Sequence, residues 1–201
     1  MQFARSDYLV GMKALVLLTA MFFAASAMAA DAPLDPQSST LKFTGHAFLH
    51  DFHGEAKEFR GVAQIDPARP ELVRGARIDI AAAKMTTFED ARDHDMYAWL
   101  HVDTIPGIRF ELTKVTPLTG DLAHATKEHP AAFTVSGTFT LNKVSAPLET
   151  KAAAWREGRQ LMVEGTATVN TVDHGLPIVQ KFFLTVDKNV DVAFHLVFEL
   201  P

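Results

Sequence analysis

Ala132 to Leu141 reads AFTVSGTFTL. Phe133, Val135, Gly137, Phe139 and Leu141 fall on one face of an extended chain, and Thr134, Ser136, Thr138 and Thr140 on the other. A period of two, apolar or Gly against hydroxyl, is the pattern of a strand that buries one face and wets the other. The same period continues outward from this stretch. Val190 to Leu200 places Val190, Val192, Phe194, Leu196, Phe198 and Leu200 on one side, and Leu161 to Val169 does so with Leu161, Val163, Gly165, Ala167 and Val169. Weaker alternation runs through Thr40 to Leu49, Glu58 to Ile65, Ala76 to Ala82, Ile108 to Val115 and Pro147 to Trp155.

These stretches predict an all-β, antiparallel fold of about eight strands, the number at which a closed barrel encloses one small ligand. Gly45, Gly61, Gly137 and Gly165 interrupt the strands; isolated strand glycines are expected at bulges or sharp bends, as at barrel corners. One segment breaks the rhythm. Thr86 to Val102 (TTFEDARDHDMYAWLHV) has no Gly or Pro, and Phe88, Ala91, Met96, Trp99 and Leu100 lie near helical spacing. Thr87 followed by Asp90 resembles an N-terminal cap, with Glu89 and Asp90 favourable in a first turn. The result is an eight-stranded barrel with one helical excursion.

The N-terminus reads differently. Ala14 to Ala25 (ALVLLTAMFFAA) follows Lys13 and precedes Ala27-Met28-Ala29. A charged start, a short apolar run and small residues at a cleavage point make a secretory signal, expected over Met1 to Ala29; Met12-Lys13 reads as an alternative start within it. The run is too short for a membrane span of about 20 residues. Residues 30–201 are then one domain exported to the periplasm, with no linker, repeat or change of composition. The chain has no Cys and a net charge of -5; cleavage removes Arg5, Lys13 and Asp7 and leaves -6. Such an acidic domain has no electrostatic reason to bind nucleic acid or an anionic surface, and without Cys it has neither disulfides nor a lipidated N-terminal cysteine.

Chemistry-bearing patterns are sparse. There is no cysteine nucleophile, no G-x-S-x-G elbow and no Gly-rich phosphate loop, so the chain reads as non-enzymatic. His46, His50 and His53 gather beside Asp51 and Glu55. Residues four apart on a strand stand roughly 13 Å apart, too far to share one ion unless the chain turns; a scattered surface role is the expectation and no metal site is assigned.

The order of short motifs resembles the YceI-like family. It comprises Phe59-Arg60-Gly61 leading to Ile65-Asp66, then Arg92-Asp93-His94, then Pro106-Gly107-Ile108-Arg109-Phe110, the hairpin from Gly137 to Leu148, and the turn Asp173-His174-Gly175. The resemblance spans nearly all of the expected mature chain. It departs where His94 directly follows Asp93, where the Arg92 to Pro106 stretch is shorter by about two residues, and where Lys143 replaces a turn glycine. What it implies is a lipocalin-like barrel around an apolar tunnel for an isoprenoid, quinone or fatty lipid, with links to acid or base stress and to a membrane cytochrome b561.

The wall of such a tunnel would be drawn from 15 Phe, against only two Tyr and two Trp. Candidate ligand contacts are Phe43, Phe48, Phe59, Phe110, Phe133, Phe139 and Phe183 along the strands, with Phe194 beside them. Phe88, Arg92, Asp93, His94, Met96 and Trp99 are candidates on the helical excursion. Arg92, Asp93, His94, Tyr97 and Trp99 would meet a head group, since a guanidinium suits phosphate or carbonyl oxygens; a solvated, charge-rich helix face is the alternative. Three functions stay open: a carrier for an amphiphilic lipid, a quinone-presenting partner of the membrane cytochrome, and a stress-response binding module without lipid. A closed barrel has no free strand edges, so a dimer would have to use loops or the helix.

Overall fold

The computed structural model describes residues 29–47, 50–66, 69–181 and 184–201. The export signal expected up to Ala29, apart from Ala29 itself, and the candidates Phe48 and Phe183 lie outside the described residues. The chain runs through β1 (Ala30–Pro33), β2 (Thr40–Ala47), β3 (Asp51–Ala56), β4 (Phe59–Asp66), β5 (Arg69–Ala81), β6 (Met85–Thr86) and α1 (Asp90–Leu100). It continues through β7 (Gly107–Thr119), β8 (Ala131–Leu141), β9 (Val144–Glu157), β10 (Gln160–Asn170), β11 (Gln180–Lys181) and β12 (Leu184–Glu199).

All eight alternating stretches are strands, and every pairing is antiparallel. The count of eight is corrected to twelve among the described residues. The four additional strands, β1, β3, β6 and β11, have six residues or fewer. Segments that short show too few repeats for a period of two to stand out.

Two of the extra strands extend staves already present. β1 pairs β4 and β2 pairs β3, so residues 30–47 and 51–66 form one long hairpin, interrupted where 34–39 and 57–58 leave the ladder. The curled sheet is tied together at the interruption. The Leu34 N–H donates to the Gly61 carbonyl of β4 (2.9 Å), and the Asp35 N–H to the Val197 carbonyl of β12 (2.8 Å). Chain that bonds to β4 on one side and β12 on the other ties the β1–β4 end of the curled sheet to the last residues of β12, and covers part of the edge an open sheet would present.

α1 occupies a place in the wall. β3 pairs β2 on one side and only the two residues of β6 on the other. Beside its free stretch stands α1, with the Arg92 guanidinium 5.3 Å from the centre of the Phe52 ring. The helix is shorter than Thr86 to Val102, and its start differs from the expected cap. Glu89 holds the N-cap position without a side-chain bond. Phe88 adopts φ 62°, a left-handed turn that folds the chain back so that Asp93 reaches Thr86 and Thr87. Asp93 accepts 2.6 Å hydrogen bonds from the Thr86 hydroxyl, the Thr87 hydroxyl and the Thr87 N–H. At the other end His101 (φ 56°) turns left-handed and closes the helix.

Bulges adjoin two of the strand glycines, Gly45 (opposite the shift between Val186 and Val190 of β12) and Gly137 (opposite the shift between Leu112 and Lys114 of β7), while the β10–β12 ladder runs unbroken through Gly165. All three are seats for rings. A β-carbon on Gly45 would lie 2.1 Å from the Phe52 ring, and one on Gly165 would lie 2.7 Å from Phe194, its partner across the ladder. A ring covering a cross-strand glycine lies flat against the wall, and flat rings leave the middle of the barrel free. The buried residues accordingly fall into two clusters. One lies around Ile65, Leu122, Trp155 and Phe198, and the other lies under α1 around Ala82, Leu100, Leu141 and Leu176.

Candidate functional site

The inward faces of the strands enclose a lumen in two compartments. The inner one, about 170 Å³, is lined by Phe133, Val135 and Phe139 of β8, by Leu161, Val163, Ala167 and Val169 of β10, and by Val192, Phe194, Leu196 and Phe198 of β12. Phe110 and Leu112 of β7 complete that wall, and Leu122, from the segment between β7 and β8, reaches its far end. The lining residues of β8, β10 and β12 are among those that the period of two placed on one face. Among the described residues Thr150 is the only side chain there with a polar atom.

The outer compartment, about 470 Å³, lies against α1 and the segment before β12. Its apolar walls include Phe43, Phe52, Met96, Trp99, Leu100, Ile178 and Val190. Here polar groups collect: His50, Thr87, Arg92, Asp95, Thr171, Gln180 and Asp187. Phe139, Val169 and Val192 belong to both compartments and mark where they meet. The Trp99 indole N–H donates to the Pro177 carbonyl (2.9 Å), tying α1 to the segment across the opening.

The expected contacts divide. Phe110 and Phe133 stand on the inner wall, Phe43, Arg92, Met96 and Trp99 on the outer, and Phe139 on both. Four lie elsewhere. Phe59 is buried among Leu34, Ala63 and Ile78 in the core and lines neither compartment. Phe88 is 68% exposed, with the Lys57 ammonium 5.2 Å from its ring centre. His94 is exposed on α1 and lines neither compartment. Asp93 is buried, but its carboxylate is engaged by Thr86 and Thr87 and holds the start of the helix. On a helix of 3.6 residues per turn, Arg92, Met96 and Trp99 share one side while Asp93 and His94 turn away.

Sequence reasoning missed Phe52, Met85, Ile178 and Val186 on the outer wall. Phe52 had a signal, since Phe52, Gly54 and Ala56 alternate over one short strand. The segment Pro177 to Gln180 carries no periodicity that marks a wall.

The titratable groups are arranged to brace the site. Burial raises the Asp93 carboxyl pKa, but the hydrogen bonds from Thr86 and Thr87 outweigh it and the net value falls below the ordinary range. Arg92 is paired to Glu89 and leans on Phe52. His46, on the outward face of β2, has Nδ1 3.0 Å from Asp51 and Nε2 3.1 Å from Asp191. Those two carboxylates raise its pKa, the Asp51 hydrogen bond contributing most. His53 instead meets the Thr44 hydroxyl, while His50 lines the outer compartment. Among the described residues no three His, Asp or Glu stand close enough to hold a metal ion.

A model of the YceI-like domain matches residues 33–198. The chain belongs to the YceI-like family. Within it, the chain is 28% identical over 196 residues to a UPF0312 protein of Pseudomonas savastanoi pv. phaseolicola, covering 90% of this chain and 94% of that one. Solved structures share the fold. BcnA of Burkholderia cenocepacia superposes with a TM-score of 0.69 at 17% identity, over 82% of this chain and 98% of that one. A polyisoprenoid-binding domain from Saccharophagus degradans, implicated in plant cell wall breakdown, gives 0.65 at 20% identity, over 86% and 99%. As a YceI-like protein the chain thus has the antiparallel β architecture that its alternation predicted, in the lipocalin-like form that the family resemblance implied, and an apolar lumen inside it.

Proposed function

We propose that this YceI-like protein is an exported carrier that shields the long apolar chain of an amphiphilic lipid, of the isoprenoid, quinone or fatty class, within its barrel. The observation that carries the reading is the asymmetry of the lumen: among the described residues, one polar side chain, Thr150, in the inner compartment, and seven in the outer. An amphiphile seated with its tail inward and its head beside Arg92, Asp95 and Gln180 leaves no polar atom in apolar surroundings, which would otherwise cost several kcal/mol. The reverse orientation buries the head without partners.

Burial of the chain supplies the affinity. At about 0.8 kcal/mol per buried CH₂, ten to twelve carbons correspond to roughly micromolar binding before the costs of association are counted. Among the described residues no titratable side chain lines the inner compartment, and those that could exchange protons line the head end. That arrangement suits retention of a molecule rather than its conversion. The name of the Saccharophagus neighbour, a polyisoprenoid-binding domain, supports the same ligand class, and the apolar run of Ala14 to Ala25 supports export to the periplasm.

A prenol carrying a photoactivatable diazirine on its last isoprene unit tests the orientation. Crosslinks expected on β8, β10 and β12 peptides containing Phe133, Val163 or Leu196 support the carrier reading. Crosslinks confined to outward-facing residues contradict it.

A further inference from the structure

The two compartments meet at a neck, and one aromatic side chain shapes it. Phe139 is the large residue shared by both, together with the smaller Val169 and Val192. Its ring is held from behind. The buried His174 stands edge-on to it, centroids 5.5 Å apart at 78°. His174 is itself fixed: its Nδ1 donates to the Val144 carbonyl (2.9 Å), and its own carbonyl accepts from the Asn142 side chain (3.1 Å). The Asp173-His174-Gly175 turn thus acts on the lumen from outside it, through Phe139.

The volumes set a length. A dry apolar cavity of about 150 Å³ accepts one benzene, a group of about the same volume as one isoprene unit. By that measure the inner compartment of about 170 Å³ takes about one isoprene unit, and the outer one of about 470 Å³ takes about three. We propose that the lumen is a ruler for chains of about four isoprene units, the last of which passes Phe139 to reach Leu122, with His174 positioning the ring. This rests on the carrier reading above and adds to it a chain length and the residue that sets it. Units beyond the fourth extend past Ile178 into water and gain no further burial.

The experiment is a binding series on the full chain with prenols of two to eight isoprene units, read by native mass spectrometry and by competition. Affinity is expected to rise by about tenfold or more per unit up to four units, then to change less than about threefold. Phe139→Ala removes a ring about the size of one unit and moves the plateau to five. Val163→Phe places a ring in the inner compartment and moves it to three. The two variants shift the plateau in opposite directions, so a general loss of folding cannot imitate both. His174→Ala shifts the plateau as Phe139→Ala does, whereas His174→Phe, which keeps a ring against Phe139, leaves it at four. An affinity that climbs steadily to eight units, or a plateau that neither Phe139→Ala nor Val163→Phe moves, overturns the ruler while leaving the carrier standing. Failure of every prenol to bind at any length overturns both.

Discussion

Phe110 lies across Gly137. A β-carbon on that glycine would stand 2.4 Å from the ring and 2.5 Å from the Glu111 carbonyl oxygen of the neighbouring strand. The missing side chain is what lets the ring lie along the wall and not across the lumen. Gly137→Ala is expected to lower stability by about 1–3 kcal/mol, the usual range for forcing extra atoms into a packed site. Thermal unfolding of the purified variant checks this, and an unchanged melting temperature would show that the seat is not tight.

Asp93 pins α1 to the strand before it. Asp93→Ala leaves the Thr86 and Thr87 donors without their carboxylate, at an expected cost of about 2–3 kcal/mol. Because its folded-state pKa is depressed, this contribution is full above the ordinary Asp value of 3.8 and fades as pH falls through the depressed one. Urea titrations should therefore show the gap between wild type and Asp93→Ala narrowing only below about pH 4.

His46 gives the opposite slope. Its pKa is raised, first by the Asp51 hydrogen bond and then by that of Asp191. The stabilisation is complete below the ordinary His value of 6.5 and is lost as pH climbs through the raised value. The wild type should thus lose stability relative to His46→Gln as buffer pH is taken from 6 to 9, and parallel curves for the two proteins would show that the clasp is not coupled to folding.

Arg92 faces the outer compartment but is already paired to Glu89. As a partly exposed pair it adds less than about 1 kcal/mol to stability. Arg92→Ala should leave the melting temperature within about 2 °C of wild type yet change which head group is preferred among lipids of equal chain length. Competition between a prenol, a prenyl phosphate and a quinone of equal length reads this out; an unaltered ranking would remove Arg92 from the head site.

How much of this was legible in the sequence depends on what kind of signal each part leaves. The inward residues of β8, β10 and β12 repeat every second position over long strands, so Phe133, Phe139 and Val163 were visible on one face. That face does not distinguish core from lumen. Phe43 and Phe59 each precede a strand glycine by two residues, yet Phe43 lines the outer compartment and Phe59 packs into the core. Only the register of the long hairpin separates them. On α1 the composition announced a helix, but its cap depended on the left-handed turn at Phe88, which no propensity predicts for Phe. Ile178 could not be found because its segment has neither period.

The central claim is that the lumen holds a lipid tail. Native mass spectrometry of the protein taken from periplasmic extract, followed by organic extraction, tests it most directly. The account predicts a single adduct per chain of lipid mass, released into organic solvent and carrying a chain of about four isoprene units or the equivalent in methylenes. Protein that arrives without an adduct, and takes up no prenol, quinone or fatty lipid on incubation, would contradict it.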